Sequence, residues 1–278
     1  MSESRHLYDY QVMPGSVGAI VPRMIDAGAR VLELGTGPGA ITKQLHANGC
    51  RVVGMEIDPT AIPLVEPYCE RVIQADLNAQ GWEAVLGHER FDAVVMTDVL
   101  EHLYDPWRTL AAAVTLMKPG GSLVISLPHV AHSAILAGLL HERFDYQPWG
   151  LLDRTHIRFF GLRNMQELIH GVGLRIVDAD FVVKRPEDTE FEGLWKTLPE
   201  ATRDALSSNP HGQVYQAVIK SMALSAAPRQ LDLLEVALPA PAPGKFGGNP
   251  PARFLLGFIS LKNRQRIANL LRGLGIKV

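Results

Sequence analysis

The chain has 278 residues, 47% hydrophobic and 20% charged, the balance of a globular protein able to bury a sizeable core. A net charge of −2 argues against general nucleic-acid binding, which needs surplus Lys and Arg to neutralise phosphates. Cys50 and Cys69 have no metal-ligand spacing and no disulfide framework, Glu3, Arg5 and Asp9 break any secretory core, and no apolar run spans a membrane, so a reducing cytoplasmic setting is expected.

Short apolar runs alternate with longer helical patterns. Arg30–Leu34, Arg51–Ile57, Arg71–Ala75, Phe91–Thr97 and Ser122–Leu127 read as buried strands rich in Val, Ile and Leu. Ile41–Ala47, Thr60–Cys69, Gly81–His88 and Pro106–Met117 read as helices, the last with Asp105 as N-cap and Pro106 as first residue. That alternation predicts an α/β, Rossmann-like, mostly parallel sheet with helices on both faces and right-handed crossovers. Residues 128–160, rich in His, Arg and aromatics, break the alternation. They read as an insertion, a lid over the carboxyl ends of the strands, where open α/β sheets place ligands. A helix over Arg163–His170, a sixth strand over Leu174–Val183 and a seventh over Gln213–Met222 follow.

Glu33-Leu34-Gly35-Thr36-Gly37-Pro38-Gly39 joins the first strand to the first helix. Glycines let the backbone turn sharply and approach a ligand beside a helix N-terminus. On this turn alone a nicotinamide dinucleotide site fits as well. Gly35-x-Gly37-x-x-Ala40 satisfies G-x-G-x-x-A, and Glu56 lies where a ribose-binding acid belongs. Glu33, Glu56, Asp76 and Asp98, at or just past successive strand ends, separate the two. They suit a ligand with an amino-acid cation, ribose hydroxyls and an adenine amine, and they repel a pyrophosphate.

The runs VLELGTGPGAITKQL, GMEID, QADL and FDAVVMTDVLEHLYDP, with Lys118-Pro119-Gly120-Gly121, resemble the ordered motifs of class I S-adenosylmethionine-dependent methyltransferases over about residues 25–222. The resemblance implies S-adenosylmethionine as cofactor. It implies Gly35, Gly37 and Gly39 beside the methionine moiety with Glu33 nearby, and Glu56 on the ribose with Asp58 just beyond. Asp76 and Leu77 would lie at adenine, with Thr97 and Asp98 as the floor.

SLPHVAHSAILAGLLHERFDYQPWGLLDRTHIRFFGLRNMQELIHGVGL resembles methyltransferases of cell-surface polysaccharide and glycan biosynthesis, through Leu-Asp153-Arg154-Thr155-His156. It departs at His129, where asparagine is usual. That resemblance implies O-methylation of a sugar or other hydroxylated acceptor. Another small metabolite methylated at O, N or C is the alternative, and an NAD-dependent oxidoreductase and a non-catalytic cofactor-binding protein are further ones. A hydroxyl acceptor profits from a base, and imidazole has the right range, so His156, His129 and His102 are candidates, with Asp153 to orient a ring. Asp98-x-x-Glu101-His102 resembles the acid-histidine cluster of ubiquinone-type O-methyltransferases. A divalent metal there is an alternative, and no metal ligand is assigned. Tyr146, Trp149, Phe159 and Phe160 could stack on an acceptor ring, and Arg154 and Arg158 could pair with its phosphates.

The expected division is a methyltransferase domain over residues 1–225, a Pro/Gly-rich linker over 226–251 and a tail over 252–278. From Leu238 to Val278 there are seven basic residues and no acidic one. A helix from Ser260 to Leu271 would be basic and amphipathic. It could lie on the inner face of an anionic membrane, or dock on the acidic domain or on a second copy in a homodimer.

Overall fold

A computed structural model describes residues 12–226 and 229–241. Seven strands form one sheet in the order β3-β2-β1-β4-β5-β7-β6. They are β1 Arg30–Leu34, β2 Arg51–Glu56, β3 Arg71–Gln74, β4 Phe91–Thr97, β5 Met117–Pro128, β6 Leu174–Val183 and β7 Val214–Ala223. The pairs from β3 to β5 are parallel, and β7 lies antiparallel between β5 and β6. The helices are α1 Val17–Ile20, α2 Ala40–Ala47, α3 Ile62–Val65, α4 Pro106–Thr115, α5 Ser133–Leu140, α6 Leu162–Gly171, α7 Glu192–Thr197 and α8 Glu200–Ser207.

The central strands read as unbroken apolar runs because both faces are covered. On one face Leu32, Leu34, Val94 and Met96 pack with Leu110 of α4 and Met165, Leu168 and Ile169 of α6. On the other, Val31, Val52 and Val95 pack with Ile20, and with Ile41 and Leu45 of α2. The strand order reverses between β1 and β4. A crevice therefore opens beyond Leu34 and Thr97, the place where such sheets hold ligands.

The expected seven-stranded, mostly parallel α/β sheet is present, and the differences are local. The stretch 60–69 holds only α3 and a 3-10 turn over Glu66–Tyr68, because Pro63 and Pro67 remove amide donors. The stretch 81–88 is a 3-10 helix over Trp82–Leu86, bracketed by Gly81 and Gly87 at positive φ. β5 begins at Met117, before a register shift opposite Phe91 and Ala93. Gly121 sits there, where a Cβ would come within 3.0 Å of the Asp92 carbonyl oxygen. α5 went unread because SAILAGLL is nearly all apolar and has no helical period.

The packed chain continues past residue 225. Leu233 is fully buried, with Leu231, Leu234, Val236 and Leu238 packed beside it. Leu231 N–H donates to the Ile176 carbonyl (2.9 Å) and Leu233 N–H to Gln166 Oε1 (2.6 Å). The first part of the segment expected as linker thus belongs to the domain. The expected tail, 252–278, lies outside the described residues. Among the described residues no helix is long and apolar enough to cross a membrane.

Candidate active site

Gly35, Gly37 and Gly39 all adopt positive φ (73°, 51° and 88°). A Cβ on Gly35 would lie 2.6 Å from Val99 Cγ2, so the turn is closed to side chains as well as left-handed. Behind it Glu33 is buried, and its Oε2 accepts the Thr42 hydroxyl at 2.6 Å. Burial, opposed by that bond and reinforced by the charge of Glu56, pushes the Glu33 carboxyl up to about 8. Glu56 Oε2 accepts Gly37 N–H (2.7 Å), and its Oε1 accepts Ile57 N–H (2.9 Å) and Asp58 N–H (2.8 Å). A carboxylate therefore answers the amide of the turn's central glycine. That disfavours a pyrophosphate there, and β7 between β5 and β6 departs from the dinucleotide-binding order.

Asp58 Oδ1 accepts the Thr60 amide and hydroxyl (2.8 and 2.7 Å), which closes the turn after β2. Asp76 Oδ1 accepts Asn78 N–H (2.8 Å), while the Leu77 side chain enters the core and its carbonyl accepts the Thr109 hydroxyl (3.1 Å). After Thr97, Asp98 has φ 53°. Its Oδ1 accepts Ser126 Oγ–H (2.6 Å) and Gln216 Nε2–H (2.9 Å). Ser126 on β5 and Gln216 on β7 were not read from the sequence. Gln216 meets Asp98 across 118 residues of chain, a contact that only strand pairing creates.

A second group of residues gathers around Glu101. Its carboxylate is buried, and neither oxygen has a hydrogen-bond partner. Burial first, then the charges of Asp98 and Asp153, push this carboxyl well above the usual carboxylate range. His156 Nε2 lies 4.0 Å from Glu101 Oε1, and His156 Nδ1 lies 3.1 Å from the Leu151 carbonyl oxygen. The His102 ring meets His156 edge-on at 4.8 Å between centroids, and its Nδ1 is 3.1 Å from both Thr155 O and Thr155 Oγ1. Ile157 and Arg158 amides donate to the Glu101 carbonyl, so backbone bonds bring the insertion to this corner.

Asp153 bonds to Thr155, the residue whose hydroxyl and carbonyl meet His102. Its Oδ1 holds the Thr155 amide and hydroxyl (2.8 and 2.7 Å), so it positions His102 through Thr155. His129 stands apart from the other two. It is buried, its Nδ1 lies 3.2 Å from the Val214 carbonyl oxygen, and burial pushes its imidazole down to about 4. Among the aromatics, Phe144 meets Tyr146 and Phe159 edge-on, and Trp107 faces Phe160 at 6.5 Å.

A family model described as a methyltransferase domain matches residues 8–179, well over half the chain. The chain belongs to this methyltransferase family. S-adenosylmethionine as cofactor follows from that membership. The ubiquinone biosynthesis O-methyltransferase of Xanthomonas axonopodis pv. citri (strain 306) is 33% identical over 107 residues, 37% of this chain and 45% of that protein. The protein of the same name from Coxiella burnetii (strain Dugway 5J108-111) is 26% identical over 170 residues, 59% of this chain and 71% of that one. The first of these matches spans less than half of the curated relative. A SAM-dependent methyltransferase structure from Archaeoglobus fulgidus shares the fold at TM-score 0.53 and 19% identity, over 74% of this chain and 92% of that one. The two curated relatives are named for ubiquinone biosynthesis, not for polysaccharide assembly.

Proposed function

We propose that this methyltransferase moves a methyl group from S-adenosylmethionine to a hydroxyl oxygen of an acceptor bound near Asp98 and residues 128–160. The donor residues fit. Glu33 is a buried carboxylate whose proton affinity is raised by burial, and an ammonium beside it would return it to the ionised form. Glu56 is set at the end of β2 to exchange its bond with Gly37 for ribose hydroxyls. Asp76 and Leu77 flank the adenine end, and Thr97 and Asp98 form the floor. When bound, S-adenosylmethionine supplies an electrophilic methyl on a sulfonium. The protein's task is to align an acceptor oxygen with that carbon and take the hydroxyl proton as the oxygen–carbon bond forms.

The Glu101 carboxylate, bonded at neither oxygen and facing His156, is the observation that carries O-methylation. A hydroxyl must lose a proton, and the two imidazoles gathered at this buried carboxyl are proton acceptors held together at one corner. His102 and His156 are the bases of this reading, and Asp153 is a positioning residue.

The same cluster favours a second reading. Ligand atoms of Glu101, His102 and His156 lie within 4.8 Å of one another, a spacing one divalent cation could span. Nδ1–H of His156 donating to a carbonyl would leave the Nε2 lone pair on the Glu101 side, as in metal-binding histidines. A cation there would make an acceptor hydroxyl bound to it more acidic.

Incubation with methyl-labelled S-adenosylmethionine and a panel of phenols and sugars, read by mass spectrometry, tests the proposal. It expects label on oxygen. Label confined to nitrogen or carbon, or none on any acceptor, would count against it.

A further inference from the structure

A groove of about 280 Å³ opens between the N-terminal ends of α4 and α6, beside the Glu101 corner. Trp107, Phe160 and Leu168 make its apolar walls, and Arg158, Asn164 and Glu167 its polar ones. Trp107 is 53% exposed, far too open for a core residue, and its indole is tilted toward Phe160 at 6.5 Å. Phe160 is buried and backs the groove, so the exposed tryptophan presents π-surface that nothing in the described chain covers.

Arg158 supplies the charge. Its Nη1 donates to the Ile157 carbonyl (3.0 Å) and its Nη2 to the Tyr104 carbonyl (2.5 Å). Both partners are neutral, and Nε is buried without any partner. Among the described residues no carboxylate pairs with this guanidinium. Glu167 lines the same groove, yet it accepts from the Asn164 amide instead (3.3 Å). A half-buried cation fixed by two carbonyls and left without an anion is arranged for a ligand's oxyanion, which a guanidinium binds through paired N–H groups.

We infer that this groove is a binding subsite for a planar ring carrying an oxyanion: the ring lies against the exposed indole of Trp107, and the oxyanion meets Arg158. Naming that ring as part of the methyl acceptor rests on the proposed O-methylation. The binding itself does not, and it is read without turnover.

Tryptophan fluorescence of the full-length protein, titrated with benzoate, benzamide, cyclohexanecarboxylate and glucose 1-phosphate, tests it. The chain has four tryptophans, so Trp107→Phe identifies the reporter. Saturable quenching by benzoate that disappears in Trp107→Phe is expected. Binding should be roughly tenfold weaker for benzamide, for cyclohexanecarboxylate and for benzoate on Arg158→Gln, as suits the loss of a charged or a stacking contact. No saturable quenching, quenching that survives Trp107→Phe, or equal affinity for benzoate and benzamide would overturn the subsite. Glucose 1-phosphate binding more tightly than benzoate would overturn the planar ring. Calorimetry with S-adenosylmethionine on the same samples separates failure of this groove from failure of the donor site. Trp107→Phe keeps the test decisive even where Arg158→Gln does not fold.

Discussion

At Glu101 the fold holds a carboxyl group away from water with no donor on either oxygen, while two imidazoles gather around it. Leaving a buried acceptor unsatisfied costs on the order of 1–3 kcal/mol, so chemistry at this corner has to answer it. Replacing Glu101 with Gln keeps the volume and removes the titratable group that faces His156. Methyl transfer should fall by about 10²–10⁴, the usual contribution of a positioned base, with S-adenosylmethionine affinity unchanged. Steady-state rates before and after exhaustive chelation then divide the two readings: activity lost and restored by added cation supports the metal, and full activity without cation leaves the imidazole base. A Glu101→Gln variant as fast as the parent would remove the cluster from the mechanism. Glu33, Glu56, Asp76 and Asp98 were legible as a set because each lies at or just past a strand end, where a local motif fixes its place. Glu101 and His102 were legible as a pair. Their union with His156 was not, because it depends on backbone bonds from Ile157 and Arg158 to the Glu101 carbonyl.

Among the elements, the strands were the most readable. β1 and β4 have the bounds that apolar runs predict, since burial on both faces favours continuous apolar residues, and the edge strand β6 keeps its predicted bounds with Arg175, Asp178 and Asp180 among its apolar residues. Helical stretches were less so. Prolines at 63 and 67 break one into short turns, and the apolar α5 has no period to read. The segment after β7 shows the limit of composition. Its Pro-rich continuation suggests a linker, yet Leu233 is wholly enclosed by residues distant in sequence. Leu233→Ala should therefore destabilise the domain by about 2–4 kcal/mol through lost transfer energy and a residual cavity. Thermal unfolding followed by circular dichroism should show Tm lower by roughly 5–10 °C in a domain of this size. An unchanged Tm would mean that this strap adds nothing to stability.

For the whole molecule, topology resolves what the glycine turn leaves open. Gly35-x-Gly37-x-x-Ala40 followed by Glu56 serves a dinucleotide as readily as a sulfonium donor. The sheet order, with β7 reversed between β5 and β6, and the Glu56 carboxylate on Gly37 N–H set this chain apart from the dinucleotide arrangement. The crevice at the β1–β4 reversal then has acids at or just past its strand ends, with the Glu101 cluster built from sequence-distant parts. On the proposed reading Glu56 holds the methyl donor in this crevice. Isothermal calorimetry of the parent and of Glu56→Ala with S-adenosylmethionine and with NAD tests it most directly. The expected result is one S-adenosylmethionine bound per chain, no NAD, and a loss of about 1.5–3 kcal/mol in Glu56→Ala, the worth of hydrogen bonds to a charged group. Binding of NAD in place of S-adenosylmethionine, or donor affinity unaffected by Glu56→Ala, would contradict it.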